Sequence, residues 1–306
     1  MKTIFRLILW CVIFTALALL FARLAPVESR ALRDETASLA LLTGAGAETV
    51  TMAEYLPCAL AAEMPVSFGM EALKAQAVAI RTYALRGGGH TDGDVCTSGE
   101  CCLAYKTASE LRALWGDDYD ENIETALRAV RETDGQYLTY GGEIIEAVFH
   151  ASSAGATEDS AAVWSAQPYL ISVESPETAD SVPELLSTAR FSPEELSAAL
   201  RIAPAGDPET WLGDIKLDSA GRVESAVIGG TVFSGKTLRS ALGLRSTAFT
   251  VSFEGDEFVF SVAGFGHGVG MSQYGAKLLA AEGWSYEDIL EHYYPGTVLS
   301  KLPLPG

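Results

Sequence analysis

The sequence predicts an α+β protein of mixed helices and antiparallel strands behind an amino-terminal membrane segment. Segments with helical spacing of apolar residues alternate with short runs rich in β-branched and aromatic residues. A chain of 306 residues with 48% hydrophobic residues can bury a substantial core. Its 21 Lys and Arg residues against 40 Asp and Glu give a net charge of −19. This charge argues against nucleic acid as a partner, because phosphate groups require neutralising cations.

Residues 1–23 are predicted to form a signal-anchor or transmembrane segment. The apolar run over residues 7–22 follows two basic residues. The run is short for a spanning helix, which needs about 20 residues, unless its flanks are counted. Residues 22–25 read Ala-Arg-Leu-Ala, a poor cleavage site, so an uncleaved anchor is favoured over a cleaved signal peptide. Both interpretations place the remainder of the chain outside the cytoplasm.

The rest of the chain is predicted to comprise a tether and a folded domain. Residues 24–49 have no sustained periodicity and are expected to form an extracytoplasmic tether, with ordered structure from Thr51 onwards. Residues 50–306 are expected to form the folded domain. Within it, the acidic stretch near 174–215 is predicted to form an insertion lobe with a helix over 192–202.

Two consecutive helices are predicted at the start of this domain. Thr51 and Glu54 form a capping box that opens the first helix, and Pro57 is expected to kink or interrupt it. This helix should stop near Glu63, because Met64 precedes a proline and avoids helical geometry. The second helix begins at Ser67 or Gly69 and ends at Arg86, before three glycines.

The second helix is predicted to be amphipathic. Its apolar stripe contains Leu73, Ala77, Ile80 and Ala84. Glu71, Lys74 and Arg81 are expected to share another, polar face.

Later segments continue the α+β pattern. Helices are predicted over 107–115, 121–132, 272–281 and 286–294. Strands are predicted over 137–140 and 144–149, joined by a Gly-Gly hairpin, and over 223–228 and within 249–262.

Glu63 is the first candidate for chemistry. It ends a largely apolar helix, and a carboxyl group among apolar neighbours tends to stay protonated, as a general acid requires. The alternative, an ordinary helix residue, would place an acid at the negative end of the helix dipole, which is mildly unfavourable. The residues alone leave both interpretations open.

A loop rich in Gly and Asp carries potential metal ligands. His90, Cys96 and Cys102 supply one imidazole and two thiolates, which are zinc ligand types. A disulfide between Cys96 and either Cys101 or Cys102 is equally compatible with an oxidising compartment. Cys101 could itself be a ligand, and the residues alone leave the two alternatives open.

Two further polar segments could form a binding site. The glycine-rich run 264–275 presents His, Gln and Tyr side chains and leads into a helix whose free N–H groups can bind polar ligand atoms. Residues 149–158 form a similar polar cluster after a predicted strand.

Together these segments resemble the stage II sporulation protein D family of peptidoglycan lytic transglycosylases. The resemblance runs from residue 51 to residue 295. It is carried by Glu-Tyr-Leu at 54–56, Glu-Met-Pro at 63–65, the helix segments 71–79 and 81–84, and the run 264–276.

The resemblance implies cleavage of the β-1,4 bond between N-acetylmuramic acid and N-acetylglucosamine, leaving 1,6-anhydro ends. It implies a preference for peptidoglycan glycan strands that a partner amidase has stripped of peptides. It also implies a membrane-anchored protein that acts with other engulfment membrane proteins on the wall between mother cell and forespore.

The resemblance also assigns roles to residues. Glu63 corresponds to the catalytic acid, and His90, Cys96 and Cys102 correspond to ligands of a structural zinc ion, which favours zinc over a disulfide. As further hypotheses, we assign substrate positioning to Lys74, Arg81, Ser153, His267, Gln273 and Tyr274. Glu71 is a weaker rival acid, because it lies near a helix start and pairs naturally with Lys74.

Some positions depart from the family pattern. Ala151 stands where the family commonly has Ser, and Leu103 where it has Gln. Cys101 is an additional thiol that leaves the ligand assignment ambiguous. Two other functions remain open: a zinc-dependent amidase or peptidase, and a non-catalytic glycan-binding scaffold or activator of an amidase.

Overall fold

The computed structural model describes residues 32–99 and 101–304. The predicted anchor over residues 1–23 lies outside the described residues. Within the part of the chain that the structure describes, no helix has the length and apolar character needed to cross a membrane.

Helices and antiparallel-rich sheets make up the described chain, which confirms the α+β class. The helices are α1 (Arg33–Thr36), α2 (Met52–Glu63), α3 (Met70–Arg86), α4 (Ala108–Trp115), α5 (Tyr119–Glu132), α6 (Ser160–Val163), α7 (Pro193–Leu200), α8 (Gly235–Leu242), α9 (Gln273–Ala281) and α10 (Tyr286–Tyr293). Short 3-10 helices cover Val66–Phe68, Gly116–Asp118 and Pro208–Thr210.

The strands form several small sheets. They are β1 (Ser38–Thr43), β2 (Gly46–Thr51), β3 (Val95–Cys96), β4 (Gln136–Tyr140), β5 (Glu143–Ile144), β6 (Phe149–His150), β7 (Leu186–Phe191), β8 (Leu212–Leu217), β9 (Val223–Ile228), β10 (Thr231–Ser234), β11 (Phe249–Glu254), β12 (Glu257–Ala263), β13 (Met271–Ser272) and β14 (Val298–Lys301). The strand orders are β2-β1-β3, β14-β4-β5, β13-β6, β10-β9-β8 and β11-β12-β7. The pairs β1–β3 and β6–β13 are parallel, and the other pairs are antiparallel.

Two clusters of buried apolar side chains divide these elements into a body and a lobe. The body comprises the described residues of 32–185 and 264–304, and its core surrounds α3. The lobe comprises residues 186–263 and has a core of its own, in which Leu196 of α7 shares a cluster with Phe260 of β12. The predicted insertion lobe near 174–215 therefore began too early and ended too soon, because the strands after residue 215 complete the same core.

The α3 helix lies at the centre of the body. It packs against α2, α5, α9, α10 and β4. The predicted apolar stripe is buried, and so are Ala72, Ala75, Val78 and Ala79 on other sides of the helix. Small alanine side chains allow several neighbours to approach one helix closely, which explains how α3 can serve as a common support.

The amino-terminal boundary of α2 confirms the sequence prediction. The Thr51 hydroxyl accepts a hydrogen bond from the Glu54 N–H at 3.2 Å, and Glu54 Oε2 accepts one from the Thr51 N–H at 2.8 Å. This capping box satisfies two backbone donors that a helix start leaves free. The helix continues through Pro57, so the expected interruption is wrong.

Ordered structure begins earlier than predicted. Residues 38–51 form the β1–β2 hairpin, in which Leu39 and Leu41 alternate into the core. The expectation of a tether up to residue 49 is therefore wrong for its described part. The turn of helix before the hairpin is also fixed, because it carries Asp34, the buried partner of an α3 side chain.

Arg81 of α3 and Asp34 of α1 form a fully buried ion pair. Arg81 Nε lies 2.9 Å from Asp34 Oδ1, and Arg81 Nη2 lies 2.6 Å from Oδ2. Arg81 Nη1 donates to the Gln136 carbonyl oxygen at 3.0 Å. The bidentate geometry and the additional acceptor compensate for desolvation of the guanidinium group.

We expect Asp34→Ala to lower the free energy of unfolding by about 3–5 kcal/mol, because it leaves the Arg81 charge buried without its partner. Urea unfolding followed by circular dichroism measures this change. The matched control is Glu257→Ala, which removes the acid of an exposed pair with Arg190. That change should cost no more than about 1 kcal/mol. Equal costs for the two variants would contradict the structural role of Asp34.

Candidate active site

Glu63 is the last residue of α2, as the sequence predicted. Met64 follows in an extended conformation, with φ −133° and ψ 130°. The residue before a proline disfavours helical geometry, so Pro65 fixes the point at which the helix ends. The Met64 side chain is buried, which anchors the chain immediately after the glutamate. The position of the Glu63 backbone is therefore set by local sequence.

The Glu63 side chain is held by a loop from another part of the body. Its Oε1 atom accepts a hydrogen bond from the Ala104 N–H at 2.5 Å. Burial raises the pKa of the carboxyl group above its ordinary value, and the Ala104 N–H partly opposes this by stabilising the charged form. Burial is the larger effect, so this carboxyl group retains its proton at a higher pH than an exposed glutamate does.

Gln273 fixes the other side of Glu63. It is the first residue of α9, and its Nε2 atom donates to the Glu63 carbonyl oxygen at 3.1 Å. The glycine-rich segment leads into this helix at Ser272, whose hydroxyl accepts a hydrogen bond from the Gly275 N–H at 3.2 Å. A Cβ atom at Gly275 would lie 2.0 Å from Tyr293 Oη, so glycine is required for α9 to approach α10. The structure thus places Gln273 beside Glu63, and its role in substrate positioning stays a prediction.

Aromatic rings and a cation lie next to Gln273 on α9. The rings of Tyr274 and Phe68 have centroids 4.8 Å apart. Lys277 Nζ lies 5.1 Å from the Phe68 centroid and 5.5 Å from the Tyr274 centroid. Tyr274 is partly exposed, and Phe68 follows Pro65 in the 3-10 turn after Glu63. Tyr274 therefore offers a partly exposed ring, backed by the buried Phe68 and with one positive charge nearby, next to the glutamine that contacts Glu63.

Four potential metal ligands meet in the loop after α3. The ligand atoms of His90, Cys96, Cys101 and Cys102 all lie within 4.8 Å of one another. His90 Nε2 is 3.0 Å from Cys102 Sγ and 3.7 Å from Cys101 Sγ. The sequence left Cys101 and Cys102 as alternatives, but both belong to the cluster.

The cluster has the composition of a closed zinc site. One imidazole and three thiolates are a common tetrahedral set for structural zinc. Gly88 makes room for them, since a Cβ atom there would lie 2.6 Å from Cys102 Sγ. All four cysteines among the described residues, including Cys58 in α2, are free thiols. These donors could hold one zinc ion without an open coordination position.

The loop that carries the four potential metal ligands is connected to Glu63 by a hydrogen bond. Ala104 follows Cys102 by two residues, and its N–H group is the donor to Glu63. The loop that carries the four potential ligands therefore also presents this donor. An ion bound there would act on Glu63 through the backbone.

Two predicted positioning residues have structural partners instead. Arg81 is fully buried and occupied by Asp34, so it cannot contact a substrate and its predicted role is wrong. Lys74 pairs with Glu71 at 2.8 Å and with Glu132 at 2.7 Å. Glu71 also accepts a hydrogen bond from the Tyr286 N–H at 2.9 Å, which leaves it engaged in packing rather than beside Glu63. The residues of the expected polar face of α3 are therefore separated: Glu71 and Lys74 pair with each other, whereas Arg81 lies in the core.

Ser153 and His267 lie elsewhere in the body. Ser153 is fully buried, and its hydroxyl lies 2.7 Å from His150 Nε2. It cannot contact a substrate in this conformation, so its predicted role is also wrong. His267 is close to Trp164, with ring centroids 5.3 Å apart, and lines a separate cavity between body and lobe.

Sequence reasoning missed several residues that shape the site. Ala104 acts through its main-chain N–H, so its side chain carries no signal of the contact. Glu177 is buried and accepts hydrogen bonds from the Ser153 N–H and the Ser272 hydroxyl, which holds the start of α9. Its partners are distant in sequence, and no local motif marks it.

Comparisons with known proteins identify related sequences. A family described as "Stage II sporulation protein" matches residues 45–140. The chain is 40% identical to stage II sporulation protein D of Bacillus amyloliquefaciens over 262 residues, which cover 83% of this chain and 75% of that protein. It is 38% identical to stage II sporulation protein D of Bacillus subtilis (strain 168), covering 83% and 76%. It is 32% identical to the amidase enhancer of the same organism, covering 78% and 39%.

The raised pKa of Glu63 predicts a pH-dependent stability difference. A raised pKa means that the folded state binds the proton more tightly than the unfolded state. The stabilisation is complete below the unfolded value of about 4.5 and is lost as pH rises through the folded pKa. Glu63→Gln should therefore be more stable than wild type at neutral pH, and this advantage should disappear below pH 4.5.

Urea unfolding of both chains across this pH range measures the difference. Glu291→Gln, at an exposed position on α10, is the matched control and should give no such advantage. A Glu63→Gln variant less stable than wild type at neutral pH would contradict the interpretation of the Glu63 environment.

Proposed function

Because the chain belongs to the stage II sporulation protein D family, we propose that it is a lytic transglycosylase of the bacterial cell wall. It cleaves the β-1,4 bond between N-acetylmuramic acid and N-acetylglucosamine and leaves 1,6-anhydro ends. Its substrates are glycan strands without stem peptides, and its role is wall remodelling during sporulation and engulfment.

The observation that carries this proposal is the environment of Glu63. Its carboxyl group is partly buried, which raises its pKa, and it accepts a hydrogen bond from the Ala104 N–H. Gln273 holds the Glu63 main-chain carbonyl oxygen. Hydrolases of glycosidic bonds generally use two carboxyl groups, whereas an intramolecular attack by the substrate needs only one.

One carboxyl group can complete the proposed reaction. The protonated Glu63 donates its proton to the glycosidic oxygen as the bond to muramic C1 breaks. The resulting carboxylate then accepts the proton of the muramic C6 hydroxyl, whose oxygen attacks C1 and closes the anhydro ring. The proton returns to Glu63, so the reaction consumes no water and needs no enzyme nucleophile.

The neighbouring side chains support substrate positioning. Gln273 keeps the end of α2 in place, and its packing leaves Tyr274 partly exposed beside Phe68. We assign sugar stacking to Tyr274, because an aromatic ring offers a flat apolar surface to a sugar. We do not assign direct sugar contact to Lys74, because its ammonium group is already paired with Glu71 and Glu132.

We further propose that His90, Cys96, Cys101 and Cys102 bind one structural zinc ion. Such an ion would order the loop that presents Ala104 to Glu63 and would not activate water. Three thiolates and one imidazole fill a tetrahedral shell, whereas a catalytic zinc site keeps one position open. This composition disfavours a zinc-dependent amidase or peptidase.

The proposed location follows from the amino-terminal sequence. Residues 1–23 would form a single-pass anchor in the cell membrane, with the body and lobe outside the cytoplasm facing the wall between mother cell and forespore. The partners would be a peptidoglycan amidase, which removes stem peptides, and other engulfment membrane proteins.

A second candidate function is a non-catalytic glycan-binding scaffold that activates an amidase. The similarity to a protein named amidase enhancer favours it. Under this alternative Glu63 would be only structural, so its substitution would leave the function of the protein intact.

The decisive experiment compares the full wild-type chain with Glu63→Gln on peptide-free glycan strands. Wild type should release strands with anhydromuramic ends, and Glu63→Gln should lower the rate by at least about 10²–10⁴-fold because the proton donor is lost. Mass spectrometry of the products measures both the bond cleaved and the ring formed. Glu71→Gln is the matched control and should retain cleavage.

The products also separate the alternatives. Products heavier by one water molecule would identify a hydrolase instead of a transglycosylase. Strand binding without cleavage by either chain would favour the scaffold.

Metal analysis tests the zinc proposal independently of activity. The full chain, purified under reducing conditions, should contain about one zinc ion, as a closed structural site requires. Cys101→Ser should lose zinc more readily to a chelator, since one of four ligands is gone. Cys58→Ser changes a free thiol outside the cluster and should behave as wild type. A zinc-free wild-type chain with a disulfide, detected by its mass, would contradict the proposal.

A further inference from the structure

The cavity lined by His267 lies between the body and the lobe. Its volume is about 740 Å³, which is within the size range of small-ligand sites. Its wall includes Glu158, Trp164 and His267 of the body and Asp218, Lys236 and Arg239 of the lobe. None of the residues that contact Glu63 contributes to this wall. We call it the interlobe cavity.

The interlobe cavity contains two cations that the described residues do not neutralise. The side chains of Arg239 and Lys236 make no ion pair or hydrogen bond with any residue that the structure describes. Arg239 is half-buried, and burial lowers its pKa because it disfavours the charged form. In a chain of net charge −19, uncompensated cations collected in one cavity indicate an anionic ligand.

A third cation, Arg222, lies behind the wall beside two of the acidic residues of the cavity. The Arg222 guanidinium is buried against Gly268, where a Cβ atom would lie 2.6 Å from Arg222 Cζ. Its Nε atom is 3.5 Å from Glu158 Oε2, whereas Asp218 Oδ1 accepts a hydrogen bond from the main-chain N–H of Arg222 at 2.9 Å. Burial and the adjacent Asp218 raise the pKa of Glu158 to about 7.

The wall has three acidic residues, and each has a contact other than Arg239 and Lys236. Glu158 pairs with Arg222, Asp218 lies beside Glu158 and binds the Arg222 main chain, and Glu224 pairs with Lys216 at 2.8 Å. These contacts leave Arg239 and Lys236 available to a ligand. Arg222 Nε and Nη1 also donate no hydrogen bond to any described residue, so the buried part of this cluster is not saturated.

An aromatic surface completes the cavity. Trp164 is 39% exposed, and its ring meets the His267 ring edge-on with centroids 5.3 Å apart. The indole ring therefore has one edge fixed by the protein and remains accessible to a ligand. His267 is neutral near pH 7, because burial and the Arg239 charge lower its pKa to about 4. The cavity thus combines a ring surface, uncompensated cations and hydrogen-bond acceptors.

We propose that the interlobe cavity binds a sugar residue that carries a free carboxylate, as part of a glycan strand. Trp164 packs against the sugar ring, Arg239 and Lys236 bind the carboxylate, and Glu158 and Asp218 accept hydrogen bonds from hydroxyl groups. A muramic residue without a stem peptide has such a carboxylate on its lactyl group. The choice of glycan rests on the proposed function, but this site is separate from Glu63.

The test measures binding of peptide-free strands to the full chain carrying Glu63→Gln, in which the acid is absent. One set of strands keeps the lactyl carboxylates, and a second set has them converted to methyl amides. The chain carrying only Glu63→Gln, called the parent, should bind the free-carboxylate strands about tenfold more tightly than the amidated strands. Loss of a charged hydrogen bond predicts a difference of this size. Arg239→Gln should weaken binding of the free-carboxylate strands by a similar factor and leave binding of the amidated strands unchanged.

Two further variants keep this result interpretable. Arg190→Gln removes an exposed cation of the same lobe outside the cavity and should preserve the discrimination. Arg239→Lys keeps the positive charge and should retain most of the discrimination between strand types. That result would exclude a folding defect as the cause of the loss in Arg239→Gln. Equal binding of the two strand types by the parent, or equal losses for both strand types in Arg239→Gln, would overturn the proposal.

The outcome is separable from that of the cleavage experiment. Failure of the transglycosylase proposal would not alter discrimination between strand types, since no cleavage is measured. Failure of the cavity proposal would leave the Glu63-dependent products unchanged.

Discussion

The hydrogen bond from the Ala104 N–H to the Glu63 carboxyl group is the contact on which the candidate site depends. It links the end of α2, set by Met64 and Pro65, to the loop that carries the four potential metal ligands. Gln273 provides the opposing contact from α9. Three segments that are distant in sequence therefore converge on Glu63, with Ala104 at its carboxyl group and Gln273 at its main-chain carbonyl oxygen. This convergence can keep the carboxyl group in one position while burial raises its pKa, and both effects favour an acid in the proposed reaction.

The two buried arginines illustrate how the environment separates a structural residue from a binding residue. Arg81 has a bidentate carboxylate and a carbonyl acceptor, so its donors are used within the fold. Arg222 retains unused donors behind a cavity in which Arg239 has no acidic partner. All three residues are arginines, and only their partners distinguish a structural role from a binding role. A long side chain on a predicted helix surface is therefore weak evidence for a role in binding.

Local signals predicted much of the fold and the acid. Capping boxes at Thr51 and Thr107 and the Met64-Pro65 step each act over a few residues, and the corresponding helix boundaries are confirmed. The β1–β2 hairpin was missed because its strands are short and one of them, β2, is largely exposed, which weakens the alternation. The burial of Arg81 was missed because its partner Asp34 lies 47 residues away in a segment that looked like a tether. Long-range pairing leaves no signature in a local window of sequence.

Direct titration of Glu63 tests the central claim. Carbon-13 NMR of the full chain, with the signal assigned by its absence in Glu63→Gln, reports the pKa of this carboxyl group. We predict a midpoint above 4.5 that falls toward 4.5 when a chelator removes zinc, because loosening of the loop exposes the side chain. A midpoint at or below 4.5 that is unaffected by the chelator would contradict the account, since Glu63 would then be an ordinary solvated carboxylate.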